Sequence, residues 1–228
     1  VSMIPGETVE SVIKALKRIR AQGKTPVPHI AARNLESDKA LRSVLIACAT
    51  LDVHRVLLIG GGATQVTGPY AEVMDLLKTG LLADYGITHI DIAGHPAGNP
   101  DDPDPEQSLI AKLNWADAHG MRSRILTQWS FDAPAVNSWI ERLRALGFKQ
   151  PVHVGIPGPA TLKALLRYAT VCGVKTSSQV LKRQGLSLGR LLLINKPDRL
   201  ISDLRGYDQL HLFPFGGLAR TTEWLKQQ

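Results

Sequence analysis

Arg124-Ile125-Leu126-Thr127-Gln128-Trp129-Ser130-Phe131-Asp132 is an apolar segment that stops at a threonine–glutamine pair followed by aromatics and a carboxylate. It reads as a buried strand delivering polar groups to a site. A primary amide donates and accepts together, as recognition of a heteroaromatic ring edge requires, and flanking aromatics can wall such a ring. The same residues also suit a core strand whose glutamine caps a turn.

Other segments repeat the plan. Val27–Arg33 is short, apolar and carries His29, and Arg55–Gly62 is an apolar run ending in Gly60, Gly61 and Gly62. His89–Pro96, Val152–Pro159 and Leu210–Gly217 follow, each running into glycine, proline or histidine. Helix-like stretches separate them: Thr8–Gln22, Asp38–Thr50, Tyr70–Asp84, Gln107–His119, Ala133–Ala145 and Thr161–Cys172. Strict alternation with short connections predicts parallel βα units. With Val1–Ile4 counted as a strand fragment there are about seven strands, one short of a closed (β/α)8 TIM barrel.

At 228 residues and 44% hydrophobic content the chain can bury one large core, so a single domain over residues 1–228 is expected. No segment approaches the roughly 18 uninterrupted apolar residues of a membrane span, and the start carries no secretory signal. A cytoplasmic protein is expected. Cys48 and Cys172 lie in helix-like apolar surroundings without metal-ligand spacing, which reads as buried structural thiols.

The balance of 27 basic against 20 acidic residues leaves a formal charge of +7. No basic tract interleaved with aromatics and no zinc or helix-turn-helix pattern accompanies it, so no nucleic-acid partner is expected. The excess reads as a solvated face or as attraction for anionic small molecules. Pro96–Glu106 is the one strongly loop-like, acidic, proline-rich stretch, suited to a lid, a cofactor-lining loop or a turn before the next helix. From Lys175 to Arg205 two short helical patterns, Ser177–Arg183 and Leu186–Asn195, precede Pro197–Arg205 and read as an insertion before the last strand.

The ordered strand ends resemble the methylenetetrahydrofolate reductase family. The blocks that carry the resemblance are Pro28-His29, Ile59–Gly62, Ala93–Pro100, Thr127–Asp132, Gly155–Gly158 and His211–Arg220, in the family's order over nearly all the chain. It implies a barrel that binds FAD at the carboxyl ends of its strands. A hydride would pass from NAD(P)H, through the flavin, to 5,10-methylenetetrahydrofolate, giving 5-methyltetrahydrofolate. Carried over position by position, His29, Gly60, Gly61, Gly62, His95 and Lys112 fall on cofactor-binding positions. Gln128 and Arg220 fall on substrate-binding ones.

The chain departs from the family pattern at Gly62, where an aspartate is usual, and at Ala97 and Asn99, which replace a glutamate and a histidine. The family's general acid, a glutamate on the first strand, has no equivalent, because Val1 aligns with the second strand. An incomplete or processed copy is therefore expected, or a seam closed by a partner chain or in a homo-oligomer. A positioned acid contributes about 100- to 10,000-fold, so its loss bears directly on activity. The alternative is a flavin-independent or non-catalytic relative that binds folate or flavin. Glu7 reads either as a substitute acid or as a helix-start residue favoured by the dipole. His29, His95 and His211, all expected near strand ends, leave a zinc site as a further reading.

Overall fold

The computed structural model describes residues 1–4, 6–62, 65–171 and 194–228. Helices and strands alternate through them. The helices are α1 (Val9–Ala21), α2 (Asp38–Thr50), α3 (Val73–Lys78), α4 (Leu81–Asp84), α5 (Pro105–Ala118), α6 (Ala133–Ala145), α7 (Leu162–Val171), α8 (Asp198–Asp203) and α9 (Leu218–Leu225). The strands are β1 (His29–Ala31), β2 (Arg55–Ile59), β3 (His89–Gly94), β4 (Arg122–Thr127), β5 (Val152–Pro157), β6 (Ala160–Thr161), β7 (Ile194–Asn195) and β8 (Gln209–Phe213). Six of them form a parallel sheet in the order β1-β2-β3-β4-β5-β8, flanked by helices, and β6 and β7 make a small antiparallel pair.

By its contacts the chain divides into two compact units. The first holds Val1–Ala93 and Ser108–Arg124; the second holds Gly94–Gln107 and Ile125–Gln228. In the first, Ile30, Val56, Leu58, Ile90 and Ile92 alternate along β1, β2 and β3 and are fully buried on one face. Val12 and Leu16 of α1, Leu41, Val44, Leu45 and Cys48 of α2, and Leu109 and Leu113 of α5 complete that unit's core. In the second, Val154 and Ile156 of β5 are buried, with Val136, Trp139, Ile140 and Leu143 of α6 and Leu165 of α7.

Caps visible in the sequence set the sharpest helix boundaries. Ser37 accepts the Ala40 N–H at the start of α2, and Asp132 accepts the Ala135 N–H at the start of α6. The expected Tyr70–Asp84 helix is instead two short ones, because Gly80 takes a left-handed conformation (φ 73°) between α3 and α4. The seventh strand also needs correction. Val1–Ile4 forms no regular strand, yet Val1 N donates to Val27 O (2.7 Å) and Val1 O accepts from His29 N (2.7 Å). Two bonds that bracket Pro28 in this way are the pattern of a parallel ladder, so one residue holds the place expected for a strand.

The proline-rich stretch is a series of side-chain-to-backbone turns. Asn99 Oδ1 accepts from Asp101 N, Asp102 Oδ1 from Asp104 N, and Asp104 Oδ1 from Gln107 N at the start of α5. Pro197–Arg205 contributes α8, while Ser177–Arg183 and most of Leu186–Asn195 lie outside the described residues. Cys48 is buried, which pushes its thiol up to about 11, and Cys172 lies outside the described residues. Among the described residues no helix is long and apolar enough to cross a membrane.

Candidate functional site

In the second unit, register pairs four predicted strand-end positions two by two. Gln128 N donates to Gly94 O (2.7 Å), which in a parallel ladder sets Gln128 level with His95. Between β4 and β5 the pairing runs Ile125 with Val152 and Leu126 with His153 and then gives way, with Thr127 O and Trp129 N lying over the Gly155 face. Gly155 is paired in turn with His211. Level partners in a parallel sheet project from the same face, so His95 lies beside Gln128 and Gly155 beside His211 at the strand ends.

At Gly155 the space a side chain would take is already filled. A β-carbon there would lie 2.5 Å from Thr127 O, 2.8 Å from Phe213 Cε2 and 2.9 Å from Trp129 N. The missing side chain lets the Phe213 ring lie against the β4 backbone, where Thr127 Oγ1 accepts the Gly155 N–H (2.9 Å). Gln128 is half-buried, and its Oε1 accepts the Trp129 N–H (3.1 Å). The amide is thereby held at its oxygen end. This is the turn-capping role that the sequence offered as the other reading.

The aromatic walls differ from expectation. Trp129 is buried, edge-on to Phe131 (5.1 Å between centroids) and to Phe215 (4.9 Å), so it belongs to the core. Its Nε1 has no hydrogen-bond partner among the described residues. Phe215 stacks on Tyr168 (4.3 Å, 20°), and His211 meets Phe213 edge-on (5.1 Å, 72°). Phe213, Phe215 and Tyr168 were not singled out from the sequence. Aromatic residues two apart on a terminal strand were the only signal.

Arg220 is exposed in the first turn of α9, beside the buried Thr221. Thr221 Oγ1 lies 2.9 Å from where a Gly158 β-carbon would be, and Gly158 N donates to Phe213 O (2.8 Å). Arg220 therefore emerges next to the turn that follows β5, at the same end as Gln128.

The first unit holds the other expected positions and separates them. His29 opens β1, level with Leu57, so it stands roughly 10 Å along the strand from Gly60 and not at the carboxyl end. Arg33 meets the glycine loop instead. Its N–H donates to Gly60 O (3.0 Å), its Nε donates to Ala71 O (3.2 Å), and its Nη2 lies 4.0 Å from the place of a Gly60 β-carbon. Gly61 needs its freedom, since φ is +94° and a β-carbon would lie 2.9 Å from Asn34 Oδ1. Among the described residues a β-carbon on Gly62 would meet nothing within 4 Å. Gly60 and Gly62 thus leave open backbone beside the Arg33 guanidinium. Lys112 sits in the middle of α5.

Glu7 precedes the Thr8 cap of α1, accepts from Ser11 Oγ (2.7 Å), and lines a cavity of about 480 Å³ with Asn34, Ser37, Lys39 and Thr67. Among the described residues no group of three or more His, Cys, Asp or Glu side chains is arranged to hold a metal ion. No protein-family model matches the chain.

Proposed function

We propose that this protein is an oxidoreductase of the methylenetetrahydrofolate reductase type, which reduces 5,10-methylenetetrahydrofolate by hydride transfer from NAD(P)H with FAD as relay. The observation that carries the reading is the pair His95 and Gln128, an imidazole beside an amide fixed at its oxygen, at the carboxyl ends of parallel strands. That is where open or closed parallel α/β sheets place their ligands.

Gln128 offers donor and acceptor to a pterin edge. Arg220, exposed beside the Gly158 turn, suits an anionic tail on the substrate. Gly60, Gly62 and Arg33 would hold the flavin, which when bound supplies two-electron hydride chemistry. His29 and Lys112 keep cofactor roles only through the resemblance. We infer in addition that the sheet belongs to a (β/α)8 barrel, a reading that the Val1–His29 pairing supports by adding a seventh position beside β1.

A second reading, a folate or flavin binder without reductase activity, is favoured by Gly62, since nothing at that position supplies the usual carboxylate. One experiment separates the two. The visible spectrum of purified protein is recorded after FAD is added and the excess removed, then with NADH, then with methylenetetrahydrofolate. A retained flavin band that bleaches and recovers supports the reductase. A retained band that never bleaches supports the binder, and no retained band removes FAD from both.

A further inference from the structure

Within the first unit, the amino ends of β2, β3 and β4 are cationic. Arg55 is paired with His89, and Arg122 N donates to Thr88 O (3.1 Å), which sets Arg122 level with His89. Arg55, His89 and Arg122 therefore form one row, with neighbours about 4.8 Å apart across the strands. Two residues further on, Leu57, Asp91 and Arg124 form the next row.

Asp91 is fully buried and holds the two rows together. Its Oδ1 accepts from Arg55 Nη1 (3.0 Å) and its Oδ2 from Arg124 Nη2 (2.7 Å), with Arg124 Nε also 2.5 Å from Oδ1. The side chains of Arg55 and Arg124 remain 29% and 24% exposed, with Arg124 Nε buried. Among the described residues Arg122 has no hydrogen-bonded or acidic side-chain partner, and Asp91 is the one carboxylate paired with Arg55 or Arg124. Three guanidiniums thus face one carboxylate. Burial, with Arg55 and Arg122 next, lowers the His89 pKa, so the imidazole does not add a fourth charge at neutral pH but remains a hydrogen-bonding group.

Uncompensated like charges on adjacent strands repel, and a sheet position offers many neutral alternatives. The planar forks of Arg55 and Arg124 are oriented by Asp91 before any ligand arrives, an arrangement suited to bidentate binding of oxyanions. We propose that Arg55, His89, Arg122 and Arg124 form a second binding site, at the amino ends of β2, β3 and β4, for a small anion bearing phosphate groups. Asp91 is its positioning residue. This site is independent of the reading of the carboxyl-end pair.

Isothermal titration of the full chain with sodium pyrophosphate at low ionic strength tests it. Saturable binding is expected, weakened about tenfold or more in Arg122→Ala and Arg55→Gln and unchanged in Lys17→Ala on α1. Citrate is expected to bind at least tenfold more weakly, since its carboxylates are spaced differently from a pyrophosphate. Absence of binding at millimolar pyrophosphate overturns the proposal, as does wild-type affinity in both arginine variants. Citrate binding as tight as pyrophosphate overturns the phosphate assignment. If Arg55→Gln loosens the fold through Asp91, the exposed Arg122→Ala and the His89 ring resonance of the wild type decide. A resonance that moves with pyrophosphate in the wild type and not in Arg122→Ala supports the site, and one that never moves overturns it.

Discussion

Gly155 and Phe213 touch only because the glycine has no side chain: a β-carbon would sit 2.8 Å from Phe213 Cε2, with Thr127 O and Trp129 N also too close to yield. Backbone cannot move aside as a flexible side chain can. Gly155→Ala is therefore expected to destabilise the protein by about 1–3 kcal/mol, the usual cost of overpacking. Thermal and denaturant unfolding measure it. Phe213→Leu in the same background should restore little, because two of the three close atoms belong to the β4 backbone.

Gln128 gives the test of the site itself. The residue is half-buried and its Oε1 bond to the Trp129 N–H is local, so Gln128→Ala should cost little stability. Its loss from a pterin edge should weaken tetrahydrofolate binding by about tenfold, one hydrogen bond's worth at a desolvated position. Fluorescence titration of folded variant and wild type reads this. Equal affinity in the two would show that the glutamine only caps its turn.

Much of this arrangement was legible along the chain, and the remainder depends on register. Ser37 and Asp132 announce α2 and α6 because a cap is a local interaction, and the apolar runs of β2, β3 and β5 are equally local. The split of Tyr70–Asp84 at Gly80 is a matter of one backbone angle that the apolar pattern does not contain. The contact of Arg33 with Gly60 joins two different strand ends, and no spacing signals it. His29 is expected near a strand's carboxyl end, whereas the pairing with Leu57 puts it at the start of β1. Arg55, His89 and Arg122 each look like an ordinary polar residue opening a strand. Only the ladder lines them up.

Asp91→Asn tests the centre of that cationic face. The change leaves two guanidiniums without their carboxylate in a partly desolvated place, and breaking such a pair costs about 3–5 kcal/mol when buried. Because Arg55 and Arg124 keep some solvent, the lower end, about 3 kcal/mol, is expected. Urea unfolding at neutral pH measures it. Replacement of Arg122, which has no partner to strand, should lie within about 0.5 kcal/mol of the wild type.

His54 and His89 should give opposite pH slopes. The His54 pKa is raised, first by its hydrogen bond with Gly86 O (2.9 Å) and then by Asp52 (2.9 Å). The native state then binds more protons than the unfolded state, so stability falls with rising pH. The contribution is fully present below the ordinary value of 6.5 and is lost as pH rises through the raised one. His89 is lowered, so its contribution is present above 6.5 and is lost as pH falls through the lowered value. Melting temperatures across pH 5 to 8 for wild type, His54→Gln and His89→Asn separate the two. Relative to the wild type, His54→Gln should lose stability chiefly at the acid end and His89→Asn should remove the acid-side loss. Parallel curves for all three would show that neither imidazole is coupled to folding.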